Sequence, residues 1–198
     1  EREAKIHMNM FRRAPMTLVK GKGSRVEDSD GKSYVDCVAG IAVDALGHGH
    51  AGLAEVIAEQ AKKLIHVSNL YYSEPQINLG EMLISSSGLD KLFFVNSGAE
   101  ANEAAIKLAR LYGHKQGVEK PVIIVTEQSF HGRTMATLSA TGNRKVQAGF
   151  EPLLSGFARV PFGDIEAIRQ VALNNKNVVA IFVEPIQGEG GIQIPPPY

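Results

Sequence analysis

The chain has 198 residues, 44% hydrophobic and 21% charged, with Lys+Arg and Asp+Glu balanced at 21 each. That length supports a domain with a buried core, and the charge balance argues against a nucleic-acid groove or a polybasic membrane patch. The longest apolar runs, such as Val178 to Val183, are strand-sized and far short of a membrane helix.

In chain order, the first residues are charged and show no signal peptide. Residues 17–38 read as extended structure around a tight turn, with Thr17-Leu18-Val19 and Ser24 to Glu27 alternating and Asp30-Gly31 as the hairpin signal. Cys37, the only cysteine, permits no internal disulfide and points to a reducing cytoplasm; the residue itself reads as small and semi-buried beside Val38. Ala39 to His50 is a glycine-punctuated loop. Within it, His48-Gly49-His50 lacks a nearby cysteine or carboxylate of ligand spacing, so the reading is a loop leading into a helix, with no metal. That helix presents Leu53, Ile57, Ala61 and Leu64 on one face; a second opens at Ser73-Glu74-Pro75-Gln76 and carries Leu79, Met82 and Leu83.

From residue 91 the pattern alternates: strands over 91–95, 121–126 and 178–183, a helix from Gly98 to Tyr112, a shorter one near Gly132, and one after Asp164 as N-cap. In the first of these helices Ala101, Ala104, Ala105 and Leu108 are expected to face inward, and Glu103 and Lys107 to pair at i,i+4. The fold class is α/β, and ligands of such sheets sit at the C-terminal ends of the strands.

Three sequences at those ends carry chemistry. Ser97-Gly98-Ala99-Glu100 opens a helix, where free backbone N–H groups and the helix dipole suit an anion. Its plain alternative is a capping box without ligand, and Glu100 repels a phosphate unless it folds back to the cap. In Phe130-His131-Gly132-Arg133, an aromatic face suits a flat heterocycle and a guanidinium suits a carboxylate, against a core Phe and a solvated Arg as the alternative. His131 reads as a hydrogen-bonded loop residue. In Glu184-Pro185-Ile186-Gln187-Gly188-Glu189-Gly190-Gly191, Glu184 follows an apolar strand and needs a partner, whereas Glu189 sits in a glycine-rich loop.

Together with Val38 to His48 and Asn69-Leu70-Tyr71-Tyr72, these motifs resemble, in order, the class-III pyridoxal-phosphate aminotransferases of fold type I, with the nearest likeness to acetylornithine aminotransferases. The resemblance implies part of the large domain of that fold, a mainly parallel sheet with flanking helices over 49–198, preceded by a hairpin segment over 1–48 belonging to the small domain. It implies pyridoxal 5′-phosphate held by Ser97, Gly98 and Ala99, with Phe130 stacked on its ring and His131 and Glu184 near it. Arg133 would bind the substrate carboxylate, Ile41 would line the substrate pocket, and Glu189 would face a substrate-binding arginine further along. Ornithine δ-aminotransferases align a tyrosine with Ile41, so the isoleucine leans toward an N-acetylornithine donor, with 2-oxoglutarate as acceptor, in arginine biosynthesis. Other ω-amino donors (4-aminobutyrate, ornithine, succinylornithine) are the alternatives within the class, a decarboxylating member or an aminomutase is less expected, and a non-catalytic phosphate-binding or dimerising fragment is the alternative outside it. The family's Schiff-base lysine and pyridinium-binding aspartate fall beyond Tyr198, so no catalytic residue is assigned and the 198 residues alone are expected not to transaminate. Glu1 in place of Met, and Pro195-Pro196-Pro197-Tyr198 without a closing helix, read as cuts through a longer protein. The expected partners are a small amino acid, a 2-oxo acid and a second copy of the parent chain.

Overall fold

Alternating extended residues around one buried carboxylate build the first sheet. In the computed structural model, which describes residues 2–197, strands β1 (Leu18–Lys22), β2 (Arg25–Asp28) and β3 (Ser33–Val35) pair antiparallel in that order. Asp28 organises the β2–β3 turn. Its Oδ1 accepts from the Asp30 and Lys32 N–H groups at 3.0 and 2.9 Å, and its Oδ2 accepts from the Tyr34 hydroxyl at 2.6 Å. Those donors, Tyr34 foremost, hold its pKa below the usual carboxylate range. Glu1 and Tyr198, the two ends from which truncation is read, lie outside the described residues.

A short turn follows, α1 (Ala39–Ala42), with Ala39, Gly40, Ile41 and Ala42 at φ of 47°, 63°, 66° and 61°. This is a left-handed turn, which costs roughly 1–2 kcal/mol for each non-glycine residue in it. Cys37, expected semi-buried, is exposed. Helix α2 (Ala51–Lys63) is N-capped by His50, whose Nδ1 accepts from the Leu53 N–H at 3.1 Å. With α3 (Glu74–Ser87) it completes the first of two compact units, Glu1–Ser86; neither helix has a buried residue.

The second unit, Ser87–Tyr198, holds α4 (Gly98–Lys115), β4 (Val122–Thr126), α5 (Met135–Ala140), α6 (Arg144–Gln147), β5 (Phe157–Val160), α7 (Ile165–Asn174) and β6 (Val178–Phe182). Its sheet is parallel in the order β5-β4-β6. The central strand is the most buried: Ile123, Ile124 and Val125 are fully buried, and Ile123 and Val125 join Ile106, Ala136 and Ala140 in one core cluster. Asp164 caps α7 as expected, accepting from the Ala167 N–H at 2.8 Å.

Four expectations change. Residues 91–95 form no strand among the described residues, because that apolar run meets no partner strand. β5 is present although only four residues long and interrupted by Arg159. The buried face of α4 carries Ile106 and Gly113, not the alanine face. Gly113 lets the helix approach the sheet, since a Cβ there would stand 2.7 Å from Val179 and 2.9 Å from Pro121. Ala101, Ala104, Ala105, Leu108 and Leu111 line, with Phe93, an open apolar groove of about 680 Å³, leaving Leu108 67% exposed. Finally, Glu103 does not pair with Lys107. Its Oε1 accepts from the Ala136 and Thr137 N–H groups at 3.2 and 3.3 Å and from the Thr134 hydroxyl, serving the free donors at the start of α5.

Candidate functional site

Parallel pairing brings the C-terminal ends of β4 and β6 side by side, so the loops after Thr126 and after Phe182 are neighbours. The first turn of α4 is fastened to the former loop. Asn102 Nδ2 donates to the His131 carbonyl at 2.7 Å, and Glu103 holds residues 134–137. Gly132, at φ 136°, allows the closest approach: a Cβ there would lie 3.0 Å from the Ala99 Cβ and 2.6 Å from Thr137 Oγ1. The loop after β6 is fastened in turn. Glu184 Oε2 accepts from the Phe130 N–H at 2.9 Å, while Gln187 Nε2 donates to the Glu127 carbonyl at 2.8 Å and Thr126 Oγ1 at 3.2 Å. All three motifs therefore converge at one end of the sheet.

At the head of α4, Ser97 is the N-cap and accepts from the Glu100 N–H at 3.2 Å, which leaves its hydroxyl proton free to donate. Glu100 folds back, its Oε2 accepting from the Asn96 N–H at 2.6 Å. The carboxylate is thereby bound to backbone rather than aimed at the turn. The N–H groups of Gly98 and Ala99 have no hydrogen-bond partner among the described residues, and a Cβ at Gly98 would meet nothing within 4 Å. Two free donors at the positive end of an 18-residue helix, facing open space, suit a phosphate ester.

Phe130 is 37% exposed, so part of its ring is open to a flat ligand. The Arg133 guanidinium stands 5.9 Å from the centre of that ring and makes no hydrogen bond or ion pair among the described residues, which leaves its fork available to a carboxylate. His131 differs in kind. It is 3% exposed, its ring stacks on Phe182 at 4.4 Å, and its Nε2 has no hydrogen-bond partner among the described residues. Burial, with the Arg159 charge as a second cause, pulls its pKa to about 4, so the imidazole is neutral. Glu184 is half-buried, with its partner in the Phe130 backbone. Glu189 is exposed and lines an adjacent cleft of about 480 Å³ with Gln128, Asn143, Arg144 and Lys145. Ile41 belongs to the first unit, where it is displayed on α1 at 84% exposure.

Asn102, Glu103, Gly132 and Gln187 hold the site together; Gly132 and Gln187 lie in the motifs read from sequence, Glu103 was expected to pair with Lys107 instead, and Asn102 was not singled out. Asn102 left one signal, since asparagine is a poor helix-interior residue without a tertiary reason. Among the described residues, no group of three or more His, Cys, Asp or Glu side chains is placed to hold a metal ion, and no helix is long and apolar enough to cross a membrane.

The class-III aminotransferase family model matches residues 8–198. The acetylornithine aminotransferase of Nitrosomonas europaea is 59% identical over 188 residues, covering 95% of this chain and 48% of that protein. Among solved structures, the ornithine aminotransferase of Toxoplasma gondii ME49 superposes with a TM-score of 0.92 at 30% identity, over 99% of this chain and 47% of that one. The N-acetylornithine aminotransferase of Stenotrophomonas maltophilia K279a gives 0.75 at 38% identity, over 93% and 45%. The chain thus spans about half the length of the relatives it matches.

Proposed function

As the chain belongs to the class-III aminotransferases, we propose that the whole protein, of which this sequence would be the N-terminal half, transfers the amino group of N-acetylornithine to 2-oxoglutarate with pyridoxal 5′-phosphate as cofactor. The observation that carries this reading is the juxtaposition at Gly132. It sets the free N–H groups of Gly98 and Ala99 against the loop that bears Phe130 and Arg133.

The residues fit the group. Gly98 N–H, Ala99 N–H and the Ser97 hydroxyl are donors for the phosphate, and Glu100 is turned away onto Asn96. Phe130 offers a face to the ring, and Glu184 fixes the Phe130 backbone. Arg133 takes the substrate carboxylate in its two-pronged fork. His131, neutral and stacked behind on Phe182, fills the base of the site without adding charge. When bound, pyridoxal phosphate would supply the electron-withdrawing ring that lets a proton leave the carbon bearing the transferred amino group, the δ-carbon of N-acetylornithine. Glu189 would face a substrate-binding arginine, and Ile41 would line the donor pocket. The donor is supported by the 59% identity to an acetylornithine aminotransferase, by the 38% identity to a solved N-acetylornithine aminotransferase against 30% to a solved ornithine aminotransferase, and by Ile41 where the resemblance aligns a tyrosine in the ornithine type. The parent would act as a cytoplasmic homodimer. The 198 residues alone, without the Schiff-base lysine, would bind but not transaminate.

Two measurements test this. The chain is titrated with pyridoxal phosphate and with pyridoxal while the Gly98 and Ala99 amide resonances are followed; only the phosphate ester should shift them. A response to both compounds, or to neither, sinks the phosphate cradle. The full-length protein is then assayed with N-acetylornithine, ornithine, succinylornithine and 4-aminobutyrate. A higher kcat/KM for any donor other than N-acetylornithine overturns the substrate, and no turnover with any of them overturns the activity.

A further inference from the structure

Four successive left-handed residues are held in α1, and three of them, Ala39, Ile41 and Ala42, lack glycine's freedom. Such backbone persists only where its surroundings over-determine it. One side chain spans both ends of this turn. His48 Nε2 lies 2.7 Å from Asp36 Oδ2, and His48 Nδ1 lies 3.1 Å from Asp44 Oδ2. Asp36 stands just before the turn, and its other oxygen accepts from the Val38 and Ala39 N–H groups at 2.9 Å each. Asp44 stands just after it, its N–H donating to the Ala39 carbonyl at 3.0 Å. His48 is itself anchored. Its backbone exchanges hydrogen bonds with Gly23 at 2.8 and 2.9 Å, and its Cβ and ring lie so close to Gly21 that a Cβ there would fall 2.6 Å away.

The ring hydrogen-bonds Asp36 and has Asp44 3.1 Å away as a charge partner, so only the protonated ring places a positive charge between the two carboxylates. We propose that His48, as the imidazolium, staples the two ends of the left-handed turn and so holds Ile41 and Ala42 in their left-handed pose. His48 is a positioning residue, acting through the turn.

The charged groups that face the ring are Asp36 and Asp44. β1 presents Gly21 and the following turn Gly23 and Ser24, none of them charged. The Asp36 hydrogen bond first, then the Asp44 charge, raises the His48 pKa above its ordinary value of 6.5, while the His48 contact lowers that of Asp36. The sign follows. The ring is charged and the staple closed at pH values below the raised histidine pKa and above the lowered aspartate one. It opens as pH rises through the former.

The test is amide hydrogen exchange on the 198-residue chain between pH 6 and 9, corrected for intrinsic rates, with the His48 ring nitrogens followed by NMR in the same samples. At pH 6 both ring nitrogens should be protonated and His48 should titrate above 6.5. Protection of the Val43 and Asp44 amides should fall at least tenfold as His48 deprotonates, while the β2–β3 amides hold. H48Q should show the low protection at pH 6 already. Protection in H48Q equal to the wild type at pH 6, or a His48 that titrates at or below 6.5, overturns the staple. Should H48Q fold poorly, the wild-type titration decides alone, and flat protection across the His48 transition overturns it as well.

Discussion

Gly132→Ala tests the contact on which the site depends. Two costs add. The backbone at φ 136° lies where side chains are rarely tolerated, worth roughly 1–3 kcal/mol. The new methyl would also stand 2.6 Å from Thr137 Oγ1 and 3.0 Å from the Ala99 Cβ, an overpacking worth roughly 1–3 kcal/mol more. Thr137 is fully buried and bonded to Thr134, so it cannot give way; the Ala99 turn must. The expected loss is about 2–6 kcal/mol, a large share of the roughly 5–15 kcal/mol that holds a domain together. The accompanying drop in Tm is roughly 5–20 °C. Gly149→Ala is the control, since Gly149 has φ 91° but nothing within 4 Å of a Cβ, which isolates the backbone cost. Urea unfolding followed by far-UV circular dichroism gives both numbers, and the Gly98 and Ala99 amide shifts report the turn. If G132A costs no more than G149A and leaves those amides unmoved, the two loops do not touch as described.

Three further expectations follow from the same contacts. Gly98→Ala should leave stability unchanged or raise it by up to about 1 kcal/mol, because alanine favours helix and the space is open, yet weaken pyridoxal phosphate binding at least tenfold; equal affinity in a titration would count against the cradle. Glu103→Ala removes the acceptor at the start of α5 and should cost about 1–3 kcal/mol in thermal unfolding, with a wild-type melting curve as the contrary result. His131, held near a pKa of about 4 against 6.5 when unfolded, stabilises the fold above pH 6.5 and loses that contribution as pH falls toward 4. The 2.5-unit gap corresponds to about 3 kcal/mol, read as the extra loss of urea stability between pH 7 and 4 in wild type relative to H131N; parallel curves would show that the ring is not buried as described.

What the sequence reveals here divides by range of interaction. The apolar runs of β4 and β6 and the Asp164 cap are local facts, and they appear where pattern places them. β5 escapes notice because Arg159 breaks its apolar run. In the structure that guanidinium donates to the Ser139 and Ala140 carbonyls at 3.0 and 3.1 Å, so a charge that reads as surface serves the neighbouring helix end. The segment 91–95 fails in the opposite sense. It has strand character, but a strand also needs a neighbour, and no local pattern reports one. In α4, alanines lie on several faces, and a single isoleucine, Ile106, with Gly113 one further turn pair along, decides which face is buried.

The acidic residues show the same limit within the site itself. In sequence, Glu100 either opposes a phosphate in the turn or folds back to the cap, and Glu184 needs a partner that the sequence does not name. Each accepts from a backbone N–H, Asn96 at 2.6 Å and Phe130 at 2.9 Å. Glu103, which looks like half of a surface ion pair, caps α5. Charge-assisted bonds to backbone donors are roughly twice as strong as neutral ones, so these three carboxylates have better partners in the backbone than in a like-charged ligand. The consequence is electrostatic. With Glu100, Glu103 and Glu184 engaged by backbone, the donors left free at this end of the sheet are two N–H groups, the Ser97 hydroxyl and the Arg133 fork. Those donors suit anionic groups, and the three engaged carboxylates no longer oppose them.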